Sequence, residues 1–211
     1  HNIDYIQTLI DRFTIEEKDK ITKYEFDDLW EKLWIHTNTI NNKIKREYTK
    51  SKMMFTRLKD GYEFNNQEYD LKYFIKHSDT NYEHNEWEIP KGRRELNENN
   101  KECAIREFRE ETNIDISKYK IINNILPLIE EYTSINGVNY KHIYYIGMIE
   151  NEIDIYIDGN NKEQYTEIKD IKWLLEDECY VNIRDYDNHK KQIIYNFYKF
   201  MNNYQKYGLL H

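Results

Sequence analysis

Glu107, Glu110 and Glu111 lie within five positions of one another, inside a stretch whose spacing predicts a helix over 101–112. Residues three and four apart share a helix face, so the three carboxylates are expected to converge. Like charges placed this way repel by a few tenths of a kcal/mol per pair, roughly, and nothing else on the predicted helix relieves them. A hard divalent cation would, because Mg²⁺ and Mn²⁺ prefer carboxylate oxygen and keep water positions open for substrate phosphates. Arg106 is expected to point away from that face and to be held by Glu98 from the preceding loop. The alternative is a solvated acidic face, the ordinary fate of glutamate-rich runs. The flanking residues separate the two readings.

Residues 92–114 read GRRELNENNKECAIREFREETNI. Gly92, Glu98, Arg106, Glu107, Phe108, Glu110, Glu111 and Ile114 fall in register with G-x5-E-x7-R-E-U-x-E-E-x-G-U, U being apolar, and the segment resembles the Nudix box. Only the late glycine differs. Asn113 stands there, just past the predicted helix end, where a left-handed residue is expected and asparagine is the tolerated substitute.

Further stretches are similar to the mRNA-decapping Nudix enzymes of large DNA viruses, of the asfarvirus and mimivirus type and more distantly the poxvirus type. They are Trp87-Glu88-Ile89-Pro90-Lys91-Gly92, Cys103-Ala104-Ile105-Arg106-Glu107-Phe108 and Tyr140-Lys141-His142-Ile143-Tyr144. Upstream, Thr14-Ile15-Glu16-Glu17 and Phe26-Asp27-Asp28-Leu29-Trp30 with Leu33-Trp34 resemble the helical domain of those enzymes. The resemblance implies an α/β Nudix fold, a mixed sheet sandwiched by helices, behind an N-terminal all-helical domain. It implies Mg²⁺ or Mn²⁺ bound by Glu107, Glu110 and Glu111. A further acid is implied in the loop before a strand that ends in Trp173; Glu167 fits that place, with Glu163 as its rival. The implied catalytic set is Glu107, Glu111, Glu167 and Arg106, with Lys91 and the backbone at Gly92 steadying phosphates. The implied reaction is metal-dependent removal of the m7G cap from mRNA, releasing m7GDP and 5′-monophosphate RNA. The implied setting is the cytoplasm of an infected host cell, with packaging in the virion also open. Because the box specifies a pyrophosphate and not its appendages, a diphosphoinositol polyphosphate or nucleoside diphosphate remains an alternative substrate. An RNA-binding module without catalysis is the third reading.

The elements that must position these residues follow from periodicity. Over 3–58 the apolar spacing is helical, with one stripe through Ile3, Ile6, Leu9, Ile10 and Phe13 and a second through Phe26, Leu29, Trp30, Leu33 and Trp34. Thr14 ahead of Glu16 and Glu17 predicts an N-cap. A third helix over 41–58 carries Lys43, Lys45, Arg46, Lys50, Lys52 and Arg57 with Tyr48 and Phe55 interleaved. Phosphate contact by that stretch, RNA-binding in the light of the resemblance, is weighed against a solvated basic face. A boundary falls before residue 85, which divides the chain into a helical, RNA-binding domain at 1–84 and a Nudix domain at 85–211. Beyond it the period changes. A short strand over 87–89 stops at Pro90, two long apolar runs over 121–134 and 138–149 meet at Asn136-Gly137, a strand covers 168–175, and an amphipathic helix covers 189–204. His142 reads as a hairpin residue rather than a catalyst.

Composition sets outer limits. Hydrophobic residues make up 39% and aromatics 15%, too many for a disordered chain, and the net charge of −8 confines any RNA contact to a local patch. No apolar run approaches the ~20 residues that span a bilayer, and no signal peptide is read at the start. Cys103 and Cys179 read as free thiols in a reducing compartment. The chain starts at His1 and is mostly helical before Trp87, so a strand pair that precedes the helical domain in the viral relatives is expected to be missing, leaving a sheet edge open.

Overall fold

The computed structural model describes residues 3–34 and 42–206, without the side chains of residues 42, 43, 162, 163, 205 and 206. The chain divides into two compact units, residues 1–85 and 86–211.

In the first unit α1 (Ile3–Arg12), α2 (Ile15–Lys23), α3 (Phe26–Trp34) and α4 (Asn42–Asp60) precede a hairpin of β1 (Tyr62–Phe64) and β2 (Gln67–Tyr69) and a short α5 (Leu71–Lys76). Thr14 caps α2 with a full capping box: its hydroxyl accepts the Glu17 N–H at 3.1 Å, and its own N–H donates to the Glu17 carboxylate at 2.8 Å. Ile10 packs with Leu71 and Phe74 as a small core, and Ile3, Ile6, Phe13, Ile21 and Leu58 close around it. The stripe on α3 meets α4 instead. Phe26 lies 5.5 Å from Tyr48 and 5.6 Å from Phe55, ring centre to ring centre, and Trp30 lies 5.4 Å from Tyr48. Leu33, placed in the same predicted stripe, is exposed.

The second unit holds α6 (Asn100–Thr112), a 3₁₀ turn, β3 (Tyr119–Ile121), β4 (Leu128–Thr133), β5 (Asn139–Tyr144), β6 (Gly147–Ile149), α7 (Lys162–Glu167), α8 (Glu176–Asn182) and α9 (Asn188–Lys206). Asn136-Gly137 turns the β4–β5 hairpin, Gly137 at φ +77°, and the pairing runs from Leu128 opposite Tyr144 to Thr133 opposite Asn139. β3 pairs antiparallel with β6. Among the described residues the strands form antiparallel two-stranded ribbons rather than one mixed sheet. The long apolar runs are thus divided. Asn123-Asn124 turn the chain, and Pro127, which has no N–H to give a ladder, separates β3 from β4.

Two expected strands, 87–89 and 168–175, are irregular. Side chains anchor them in place of a ladder: Lys172 sits 5.0 Å over the Trp87 ring, and the Trp173 indole donates to the Ile153 carbonyl at 3.1 Å. α9 packs along β4, and Ile183 and Ile193 lie in the core with Cys103, Ile114, Tyr119, Tyr144 and Ile146.

Candidate active site

α6 positions the acidic set, and its ends are well made. Asn99 accepts the Lys101 and Glu102 N–H groups at 3.0 Å each, and Glu102 reaches back to the Asn99 N–H at 2.8 Å. At the other end Asn113 is left-handed, φ 59° and ψ 19°, and its N–H bonds the Arg109 carbonyl at 2.8 Å. That is the conformation a glycine would serve at this place, and a short polar side chain tolerates it. The helix therefore starts and stops where residues 99 and 113 dictate, which fixes the phase of the glutamates between them.

The carboxylates do not meet as one cluster. Helical spacing points Arg106 away from the glutamates, but in the structure its guanidinium lies among them. Nε and Nη2 clamp Glu98 at 2.8 and 3.1 Å, while Nη1 donates to Glu107 at 2.8 Å and to Glu110 at 2.9 Å. A planar fork with five N–H donors can serve three carboxylates at once, and the four-residue spacing puts Glu110 within its reach. The Arg106 hydrogen bonds hold the Glu98 carboxyl down at about 2, with help from the Glu95 N–H.

Glu111 is turned another way. Burial pushes its carboxyl up to about 7, against the pull of the Lys91 backbone N–H that it accepts and of the Lys91 charge; Glu107 and Glu167 add to the rise. Glu111, Glu107 and Glu167 thus share one electrostatic neighbourhood, with Lys91 opposite. The Lys91 ammonium itself lies 3.5 Å from Glu88. Glu167 sits exposed at the end of α7. The Glu163 and Lys43 side chains lie outside the described residues.

Gly92 packs directly on Glu107. A Cβ at position 92 would stand 1.9 Å from the Glu107 carboxyl carbon, so the backbone approaches the acid as only glycine allows. Gly92→Ala is expected to expel the Glu107 carboxylate from its place and to lower Mn²⁺ affinity by about 10-fold or more. Titration of the free ion checks this, with circular dichroism confirming that the helix content is kept.

The α6 glutamates offer oxygen donors of the kind a hard cation takes, and the Arg106 guanidinium now stands between Glu107 and Glu110. Occupancy would require those two side chains to leave Arg106. The one group of three acidic side chains whose oxygens lie within 4.8 Å of one another among the described residues is elsewhere, at Glu86, Glu88 and Asp187. Lys190 answers two of them, with its ammonium 2.6 Å from both Glu88 and Asp187. This network escaped the sequence reading because 102 residues separate Glu88 from Lys190. His142 also has a partner that spacing could not supply: its Nδ1 lies 2.8 Å from the buried Glu130 carboxylate, which accepts the Tyr144 hydroxyl as well.

On α4 the basic residues part into two faces. Lys45, Arg46, Thr49, Lys50 and Met53 lie together on one open, shallow surface. Lys52 points to α3, where the Asp27 carboxylate accepts its ammonium at 2.6 Å; the Tyr48 hydroxyl, one turn back on α4, accepts it at 3.1 Å. Tyr48 and Phe55 belong to the aromatic packing against α3 and offer no free stacking platform there.

Residues 65–197 match the NUDIX domain family, and the chain belongs to that family. It is 42% identical over 165 residues to a "Putative mRNA-decapping protein" of Acanthamoeba polyphaga mimivirus, covering 77% of this chain and 45% of that one. It is 31% identical over 150 residues to the "mRNA-decapping protein g5R" of African swine fever virus isolate Kenya KEN-50, 70% of this chain and 56% of the relative. The g5R protein of the Warthog isolate from Namibia aligns over 214 residues at 27% identity, 98% of this chain and 80% of that one. The chain thus spans about half the length of the first two relatives.

Proposed function

We propose that this protein hydrolyses the triphosphate bridge of an mRNA cap, releasing m7GDP and 5′-monophosphate RNA, with Mg²⁺ or Mn²⁺ held by Glu107, Glu110, Glu111 and Glu167. The observation that carries the reading is the half-buried Glu111 carboxyl, which feels the charges of Glu107, Glu167 and Lys91 and belongs to a Nudix box that departs from the pattern only at Asn113. The names of the viral relatives supply the substrate class.

A bound divalent cation would supply water of lowered pKa and neutralise charge that develops on the bridging phosphates. The chain's own residues do the rest. Glu111 or Glu167 takes a proton from the attacking water. The water oxygen bonds to a bridging phosphorus as the bond to the leaving phosphate oxygen breaks. Lys91, kept within 3.5 Å of Glu88, and the backbone at Gly92 steady the phosphates. Arg106 keeps the Glu107 and Glu110 side chains oriented until the cation takes them.

The RNA body runs along α4, against Lys45, Arg46 and Lys50, while Lys52 serves chiefly to tie α4 to Asp27. Replacing Lys45, Arg46 and Lys50 together by glutamine is expected to weaken capped-RNA binding and to flatten its dependence on salt by about two in log–log slope, near 0.7 per lost single-strand phosphate contact. Filter binding between 50 and 200 mM salt, roughly the range in which such contacts tell, reads it. The setting proposed is the cytoplasm of the infected cell, where capped transcripts are found.

Cap-labelled RNA incubated with the protein and Mn²⁺ tests the whole. Release of label as m7GDP is the expected result. Label that stays on RNA, or small diphosphates hydrolysed in preference to capped RNA, would count against decapping.

A further inference from the structure

Gln164 is, with Phe74, one of two large side chains buried to under 2% exposure among the described residues, and it is the polar one. Every hydrogen-bonding group of its amide is used. Oε1 accepts the Asp158 N–H at 2.8 Å, and Nε2 donates to the Glu111 carbonyl at 3.1 Å and to the Tyr156 carbonyl at 3.4 Å. One turn earlier Asn161 caps α7 by accepting the Gln164 N–H, and its own amide donates to the Asn113 side chain at 3.2 Å.

Both contacts land on the last turn of α6. The Glu111 carbonyl is among the final helix carbonyls that have no intrahelical N–H, and such groups normally turn to water. Here a buried amide answers it. Sinking a primary amide costs free energy unless all its bonds are made, so an apolar side chain of equal size would have given the packing without that demand. What the amide adds is direction: it accepts only one placement of α7 on α6. Glu167 follows Gln164 by three residues, about one turn further along the short helix that Gln164 anchors. The one departure from the box pattern takes part as well, since a glycine at 113 could not receive Asn161.

We infer that Gln164, supported by the Asn161–Asn113 contact, is a positioning residue that holds Glu167 in register with Glu111. The inference rests on the reading of Glu167 as the acid outside the box. It assigns no contact with substrate to Gln164, which acts through the placement of α7.

The test is a double-mutant cycle on the intact protein: wild type, Gln164→Met, Glu167→Gln and the pair. Mn²⁺ binding, followed by the EPR signal of the free ion, is read alongside m7GDP release. Gln164→Met is expected to weaken Mn²⁺ binding and slow release by about 10-fold each. Added to Glu167→Gln it should cost less than about twofold more, because the acid it positions is already gone. Asn113→Gly keeps the left-handed turn, removes only the outer strut, and should lose a smaller factor on both readouts, also absent in the Glu167→Gln background. Losses that multiply in the paired variants, or Mn²⁺ binding untouched by Gln164→Met, would overturn the positioning role and leave Gln164 a packing residue. A wild type that binds Mn²⁺ but releases no m7GDP would remove the decapping reading alone, since the cycle is then decided on metal binding.

Discussion

Glu111→Gln is expected to lower release of m7GDP by about 10²- to 10⁴-fold, the range that a positioned acid or base contributes, while the protein stays folded. Shape is preserved, and burial already disfavours the charge on this side chain. Burial holds the carboxyl up near 7, so in metal-free solution a neutral amide meets no penalty that the acid escapes. The sign of the pH effect on stability follows. A carboxyl whose folded pKa is raised costs stability as pH rises from its ordinary value of 4.5 to about 7, because the unfolded chain releases that proton first. Glutamine carries no such cost. Without metal, Glu111→Gln should therefore match wild type near pH 4 and exceed it above pH 7. Mn²⁺ should reverse the order by stabilising wild type more than the variant. Urea titrations at the two pH values, with and without Mn²⁺, check this beside the activity assay. A variant that keeps wild-type turnover would remove Glu111 from the chemistry.

The second large effect is expected at Arg106. Arg106→Met should cost on the order of 2 kcal/mol, below the 3–5 of a fully buried broken pair because the Arg106 side chain remains 19% exposed. The loss comes less from missing attraction than from Glu98, Glu107 and Glu110 left facing one another with no guanidinium between them. Activity should fall with stability, since the same fork orients two of the proposed metal ligands. The pH profile marks the cause. Arg106 holds the Glu98 carboxyl at about 2, below its ordinary 4.5, and a depressed carboxyl contributes stability that is complete above 4.5 and lost as pH falls towards 2. The gap between wild type and variant should thus be constant above about pH 4.5 and narrow below it. Denaturation midpoints measured from pH 7 down to pH 2.5 would show whether it does.

The chain's local features were legible because they depend on neighbours in sequence. The N-cap at Thr14, the start of α6 near residue 100, the left-handed Asn113 and the Asn136-Gly137 hairpin each rest on a few adjacent residues whose preferences agree. The register of the box glutamates belongs with them, since helical spacing alone places 107, 110 and 111 relative to one another. The Nudix family follows from that register and needed no tertiary contact.

What tertiary structure decided is what side chains do at a distance. Periodicity placed Arg106 one step away from the acids, but a long flexible guanidinium goes where several carboxylates together attract it, and Glu98, Glu107 and Glu110 drew it back. Spacing also could not tell that Lys52 faces Asp27 while Lys45, Arg46 and Lys50 stay on the open face, because the choice depends on which side of α4 meets α3. The runs at 87–89 and 168–175 carry strand-like residues yet pair with no strand, because pairing needs a partner edge that only the tertiary arrangement can supply; side-chain contacts such as Lys172 on Trp87 and Trp173 to the Ile153 carbonyl tie them down instead. Gln164 reads in sequence as one more polar residue of a loop-rich segment. Only the fold brings it under the last carbonyls of α6, where burial turns an ordinary amide into a constraint on where Glu167 can stand.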